Sequence, residues 1–531
     1  MSHRFATLRM AATFAFMLGG LWPTAVLAAP EPAAPDNRFY IREYRVQGVK
    51  HLQSAEVEDT VYPFMGPERT ADDVEQARAA LEKLYRAKGY QAASVVIPAQ
   101  QVKGGIIFLQ VAEGTVGKLR VRDSRYFSPN EIKKNAPSLA EGGVLNFNGI
   151  NRDVVALNQL PDRRVTPSLK AGAEPGVFDV DLTVKDTPPL HGSLELNNRY
   201  SPNTTPLRVN GSVSYANLWQ LGHTLGFSFQ VAPERLDDAK IFSAYYLVHL
   251  TETPWLSLLV QATKQDSNIS TLGGSAVAGR GETFGIRAIM TLPPSEEFYH
   301  SLTLGLDSKH YGQNLTTAGV TTATPITYYP LSAVYSGSWT GKGSATDFNA
   351  GPTLGLRGAG SDDTAFNARR NGASGSFISF RADVSRTQDL PAGFQLFGKL
   401  QGQIADQPLV DTEEFSGGGL ATVRGYLEGE VAGDDALFGS VELRSPSVLG
   451  WLGEKSGEWR FYGFADGGML QVQHPLPAQT ADFTLASVGV GSRLRFRDYL
   501  SGSIDAGLPL KSQTTTHQGD LRLTFSIRAD Y

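Results

Sequence analysis

Past Pro189 the chain alternates apolar and polar residues with a period of two, the spacing of a strand with one nonpolar and one wet face. Ile378, Phe380, Ala382 and Val384 alternate with Ser379, Arg381, Asp383 and Ser385. Phe394, Leu396, Leu400 and Ile404 alternate with Gln395, Lys399, Gln401 and Gln403. Val488, Val490, Leu494 and Phe496 alternate with Gly489, Gly491, Arg493, Arg495 and Arg497. The last strand sets Leu521, Leu523, Phe525, Ile527 and Tyr531 against Arg522, Thr524, Ser526, Arg528 and Asp530. About 340 residues of this texture, at about 20 per strand and turn, predict roughly 16 to 18 antiparallel strands. A soluble antiparallel sheet alternates too. The length of the run and the aromatic C-terminal strand, with Phe525 and Tyr531 as its signal, favour an all-β transmembrane barrel over residues 190–531.

Before Pro189 the periodicity is mixed. Phe39 to Val49 alternates like a strand, and Ser54 to Pro63 suits a short helix. Thr70 is placed to cap a second helix, with Asp72, Asp73 and Glu75 in its first turn. Val74, Ala77, Leu81, Leu84 and Tyr85 recur at helical spacing, and Lys88-Gly89 ends the run. Strands follow at Ala92–Ile97 and Gly105–Val111, giving the order β-α-α-β-β over residues 39–114. The order returns over 115–187: a strand at Val116–Arg122, a helix opened by Ser128-Pro129, a helix at Asn148–Leu160, and strands at Val165–Lys170 and Val177–Val184. Two units of roughly 75 residues form a tandem α+β repeat, the plainer alternative being a single α+β domain. Asp186-Thr187-Pro188-Pro189 marks the boundary.

The first 28 residues change the compartment. His3, Arg4 and Arg9 precede an apolar run, Met10 to Leu21, and Val26-Leu27-Ala28 supplies small residues for cleavage after Ala28. A signal peptide over 1–28 and a short Pro-rich segment over 29–38 are expected. No later run reaches the roughly 18 apolar residues that a helical span needs.

Chemistry narrows little. With no cysteines the chain has no disulfide, thiol nucleophile or thiolate site. The 56 glycines and 10% aromatics suit curving strands that meet a lipid interface. A net charge of −5 gives no bulk argument for nucleic-acid binding. The nine histidines are scattered, without His-Glu-x-x-His spacing, and there is no Gly-x-Ser-x-Gly. The acid pairs Glu413-Glu414 and Asp434-Asp435 read as solvated loop charges. No catalytic residue, metal site or cofactor is expected, and the chain is not read as an enzyme.

Three stretches carry a family signal. Leu81-Glu-Lys-Leu-Tyr85-Arg-Ala-Lys-Gly89-Tyr90, then Val95-Val-Ile-Pro98-Ala-Gln100 and Val111-Ala-Glu113-Gly114, resemble the first POTRA domain of the two-partner secretion transporters. That is the haemolysin secretion/activation family, within the Omp85 superfamily. Glu414-Phe-Ser-Gly-Gly-Gly-Leu-Ala-Thr-Val423-Arg424-Gly425-Tyr426, continuing to Glu442-Leu-Arg-Ser-Pro446, resembles that family's lumen loop and the strand after it. Phe464-Ala-Asp466-Gly467 resembles the superfamily's barrel-wall motif.

The resemblance implies two periplasmic POTRA domains, 39–114 and 115–187, and a 16-stranded outer-membrane barrel with a lumen loop around 415–435. It implies that Val423, Arg424, Gly425 and Tyr426 serve gating or transport and that Phe464, Asp466 and Gly467 form their wall partner. The activity it implies is type V, two-partner secretion: POTRA domains take up an unfolded exported protein, a large β-helical adhesin or haemolysin, and the barrel passes it to the cell surface. Outer-membrane lipid and the barrel assembly machinery are the other partners implied. Family members often carry an N-terminal plug helix. Here Phe39 follows the expected cleavage by about ten residues, so the lumen loop is the expected obstruction.

Alternation over Arg460–Leu470 places Asp466 with Arg460 and Tyr462, opposite Trp459, Phe461 and Met469. The second set suits lipid, so Asp466 is expected in the lumen, within reach of a two-toothed contact from Arg424. Asp505, inward with Ser503, is the alternative partner. Inward Lys399, Gln401, Arg493 and Arg495 would keep the path aqueous. Two other functions fit less well. An Omp85-type assembly factor shares the Arg424 and Asp466 motifs but differs in its POTRA set, and a passive porin or uptake receptor leaves the tandem units unused.

Overall fold

The computed structural model describes residues 38–531 apart from 159, 251, 252, 254, 273, 274, 313, 318, 319, 450–456 and 478. The expected signal peptide and all of the Pro-rich segment but Arg38 lie outside the described residues. The chain divides after Gly114 into two compact units.

The first unit runs β1 (Phe39–Ile41), β2 (Glu43–Gln47), α1 (Ser54–Val61), β3 (Gly66–Arg69), α2 (Ala71–Ala87), β4 (Ser94–Val96) and β5 (Ile106–Ala112). The single strand expected over Phe39–Val49 is broken at Arg42, because the N–H groups of Arg42 and Glu43 both donate to the Gly105 carbonyl. β1 then pairs with β3, whose Gly-Pro-Glu-Arg sequence carries no alternation to betray it. The main sheet has the order β2-β5-β4, with β2 parallel and β4 antiparallel to β5. α2 begins in a reciprocal cap: the Thr70 hydroxyl accepts from Asp73 N–H, and the Asp73 carboxylate accepts from Thr70 N–H at 2.8 Å. Its Val74, Ala77, Leu81 and Tyr85 enter the core beside Leu109 and Val111.

Glu113 ties the end of this sheet to the turn before α1. It accepts from the backbones of Lys50 (2.9 Å) and His51 (3.2 Å) and from the Tyr85 hydroxyl (3.0 Å), with the His51 ring 2.7 Å away. Burial alone would raise this carboxyl. The hydrogen bonds from Lys50, His51 and Tyr85 outweigh it and hold Glu113 below the ordinary carboxylate value.

The second unit opens with β6 (Thr115–Arg122), α3 (Pro129–Lys134), α4 (Phe147–Leu157), β7 (Arg163–Ala171) and β8 (Val177–Asp186). Its sheet, β6-β8-β7, repeats the pairing of the first: the first strand is parallel and the second antiparallel to the last, which lies between them. Side chains of a tight barrel turn hold it. Asn217 and Gln220 donate to the Tyr126 carbonyl, Gln220 accepts from Ser128 N–H, and the His191 ring meets Asp162 at 2.9 Å.

Residues 190–530 form a closed barrel of sixteen antiparallel strands, the lower end of the expected range. Two short hairpins, Asn314–Thr317 with Val320–Ala323 and Phe415–Gly417 with Val431–Gly433, stand outside the wall. The first strand, Leu190–Asn197, pairs with the last, Arg522–Asp530, and Tyr531 continues the seam through both its backbone groups to Gly192. Closure leaves no strand edge, the condition for backbone in a bilayer. Leu400, Ile404, Val441, Met469, Val490, Ile504 and Leu523 lie exposed on the outer face. Trp219, Trp255, Trp339, Trp459, Tyr499 and Tyr531 ring the end nearest residues 115–186, as an aromatic girdle at a membrane interface does. The lumen face is polar.

Candidate functional site

Between the wall strands Gln395–Ala405 and Asp435–Arg444, residues 406–434 fold back into the lumen. Apolar contacts seat the loop: Phe415, Val423, Tyr426 and Val431 pack with Phe438, Leu470 and Leu485 of the wall. The rings of Phe415 and Phe438 stack at 5.6 Å. The loop's buried residues therefore replace the water that an open lumen would place against the wall.

Strand register assembles the wall side of the site. Ser440 lies opposite Asp466 and Glu442 opposite Phe464, all with side chains inward. Arg424 enters this patch. Its Nε donates to Asp466 Oδ2 and its Nη2 to Asp466 Oδ1, each at 2.7 Å. Its backbone N–H also donates to Asp466 Oδ2, at 3.1 Å. Nη1 donates to Glu442 Oε1 at 2.6 Å, and Ser440 bridges Arg424 Nη2 and Asp466 Oδ1. The guanidinium lies 3.7 Å from the centre of the Phe464 ring, a cation–π contact that fixes its plane. Asp505 stands farther off, 3.6 Å from Nη1, and accepts from the Tyr462 hydroxyl at 2.7 Å.

The side chains of Arg424 and Asp466 are 6% and 1% exposed. At that burial a charge is tolerable only when paired and fully hydrogen-bonded, and removing one partner costs about 3–5 kcal/mol. Arg424 alone faces three carboxylates. Arg444, bonded to Glu442, and Arg493, 5.0 Å above the Tyr462 ring, supply balancing charge.

The rest of the loop is held by other loops. Gly425 has φ of +92°, and a Cβ there would stand 3.2 Å from the Gly507 backbone, so the position needs glycine twice over. The Tyr426 hydroxyl donates to the Lys511 carbonyl at 2.7 Å. Glu428 accepts from Arg199 at 2.8 Å, and Glu430 accepts from Thr516 N–H at 2.7 Å. At the loop's base Arg369 makes a two-toothed contact with Asp411, and Asp434 accepts from Leu409 N–H, Gln473 N–H and Arg370.

These contacts correct one sequence expectation. Glu413, Glu414 and Asp434 are not solvated loop charges, and Asp435 begins a wall strand, where it accepts from Ala405 N–H and Gln473. Glu413 sits between Lys309 and Tyr328, Glu414 faces Arg370, and Asp434 is fully buried. The pairs looked solvated because their partners lie on distant strands and in the loop at 361–377.

Of the residues singled out from sequence, Val423, Arg424, Gly425, Tyr426, Phe464 and Asp466 come together here. Gly467 does not: it lies on the opposite parity of its strand, paired with Gly439 and Ala486. Phe525 and Tyr531 belong to the closing strand, away from the loop. Glu442 and Ser440 went unassigned, although alternation along their strand puts them on the Asp466 face, and Tyr462 was placed on that face without a role. Among the described residues, no group of three or more His, Asp or Glu side chains is placed to hold a metal ion.

Residues 176–494 match the family described as haemolysin secretion/activation protein ShlB/FhaC/HecB, and residues 39–114 match the ShlB-type POTRA domain. The outer membrane transporter CdiB of Dickeya dadantii (strain 3937) is 23% identical over 501 residues, covering 89% of this chain and 83% of its own. The heme/hemopexin transporter protein HuxB of Haemophilus influenzae (strain 86-028NP) is 21% identical over 464 residues, covering 84% and 78%. Among solved structures, CdiB from Escherichia coli superposes with a TM-score of 0.65 at 20% identity, over 95% of this chain and 93% of that one. BamA from Haemophilus ducreyi lacking POTRA domains 1–3 gives 0.55 at 14% identity, over 93% and 100%. The likeness to these structures is one of fold.

Proposed function

The chain belongs to the haemolysin secretion/activation family ShlB/FhaC/HecB, outer-membrane transporters of two-partner secretion, and from that premise we propose how its parts divide the work. The barrel lies in the outer membrane, with the POTRA domain of residues 39–114 in the periplasm. Residues 115–187 act as a second POTRA domain. In each sheet the second strand in sequence, β4 or β7, is an outer strand, and Val96 and Ile97 lie exposed at the end of β4. An extended chain can add there as a further strand, gaining main-chain hydrogen bonds with little sequence demand. The exported partner, a large β-helical protein, then moves unfolded through the polar lumen. Its folding outside supplies the drive, since no nucleotide is expected in the periplasm.

The observation that carries this reading is the anchorage of the lumen loop: a loop occupies a polar-lined barrel and is fastened to the wall through the Arg424 side chain. Such a loop can hold the channel in one state and let go in another. The test is export of a co-expressed exported partner, measured at the cell surface and in the medium. Export that depends on this protein supports translocation. Equal export in cells lacking it overturns the reading.

A further inference from the structure

At the periplasmic end of the lumen, Arg444, Glu458, Arg460, Tyr462, Arg493 and Arg495 line one cavity of about 190 Å³. Strand register places Arg460 directly opposite Arg493, and Glu458 opposite Arg495. Like charges facing each other across a strand pair destabilise a sheet, so the arrangement carries a cost that the fold alone does not require.

The charges are unequally satisfied. Arg460 is held by Glu458 and by the carbonyls of Gly393 (2.9 Å) and Ser445 (2.7 Å). Arg444 is held by Glu442 and lies 4.3 Å from the Phe397 ring. Arg493 rests on the Tyr462 ring, with no carboxylate in salt-bridge range among the described residues. Arg495 makes no ion pair among them either. Four guanidinium groups thus line the cavity with Glu458, Glu442 holds one of them from beside it, and Arg493 and Arg495 make no ion pair among the described residues.

We propose that this cavity is a carboxylate-binding subsite that takes acidic side chains of the exported polypeptide as it enters the barrel. The proposal rests on the translocator reading above. Arginine forks match carboxylates in shape as well as charge, and Arg493 and Arg495 are exposed to the lumen, where an incoming chain can reach them. The position, at the mouth through which a periplasmic chain enters, selects a polypeptide over other anions. The subsite also adjoins the loop anchor: Arg444 and Arg424 share Glu442, and Arg493 and Arg424 share the Tyr462 ring.

The test uses the full-length protein in detergent and a hexaglutamate peptide carrying a neutral fluorophore, with binding read by fluorescence anisotropy. Saturable binding is expected, weakened about tenfold or more in the double variant Arg493→Gln/Arg495→Gln and progressively by salt. The double variant Arg493→Lys/Arg495→Lys should bind with an affinity between wild type and the Gln variant, because an ammonium keeps the charge without the fork. A heat-dependent shift in gel migration verifies that each variant has a closed barrel. Absence of binding, equal binding of hexalysine, undiminished binding by the Gln variant, or displacement by acetate at equal carboxylate concentration would each overturn the proposal. If the wild type exports its partner yet binds no hexaglutamate, the subsite alone fails. If it exports no partner, the translocator reading fails whatever the peptide does.

Discussion

Arg424 and Asp466 meet through two parallel hydrogen bonds of 2.7 Å, across 42 positions of sequence, with Phe464 against the face of the guanidinium. The wall therefore fits a flat fork as well as a positive charge. Arg424→Lys keeps the charge but can neither span both Asp466 oxygens and Glu442 nor lie flat on the ring. Export by Arg424→Lys should fall between wild type and Arg424→Ala. Full activity of the lysine variant would show that charge alone suffices.

The two wall aspartates should separate. Asp466 takes both teeth of the fork, while Asp505 stands 3.6 Å from Nη1 and already has the Tyr462 hydroxyl. Asp466→Ala strands a buried cation, so it should reduce export strongly. Asp505→Ala should reduce it less. The reverse ranking, in the same cells and with equal surface barrel, would make Asp505 the principal anchor.

Gly425 adopts a left-handed backbone while touching Gly507. Gly425→Ala adds strain of about 1 kcal/mol and a methyl group where backbone already lies. The loop tip should lift from the wall, and planar-bilayer recordings should show more frequent or larger openings than wild type. Unchanged conductance would mean that the tip does not limit the channel.

Glu113 sets a pH dependence in the periplasmic unit. Its carboxyl is held below the ordinary 4.5, so the stability it contributes is present above about that pH and is lost as pH falls through the lower folded value. At neutral pH Glu113→Gln should destabilise residues 39–114 by about 1–2 kcal/mol, since bonds to a charged acceptor become bonds to a neutral one. The urea midpoint of the helical circular dichroism signal in the full chain measures this. The gap between wild type and variant should close as the solution is acidified toward pH 3, and a constant gap from pH 7 to pH 3 would refute the assignment.

Much of the architecture was legible because its elements are periodic. Two-residue alternation marks the strand at 378–389 as clearly as helical spacing marks α2. β3 was invisible because Gly-Pro-Glu-Arg has no periodicity, and it exists only because the chain turns at Arg42 to offer β1 as a partner. Asp466 could be oriented from the parity of a single strand, and Glu442 was open to the same treatment on the strand before it. The Asp434–Arg370 and Arg369–Asp411 contacts could not be read in this way. They depend on which loops the closed barrel brings together over its lumen, a relation between segments that no local pattern encodes.

The most direct test is Arg424→Ala in cells that co-express the exported partner, with surface-assembled barrel quantified in the same cells by its heat-dependent gel migration. If the anchored loop governs passage, barrel levels stay near wild type while export of the partner falls severely. Normal export by both Arg424→Ala and Asp466→Ala, with the barrel assembled, would contradict the account.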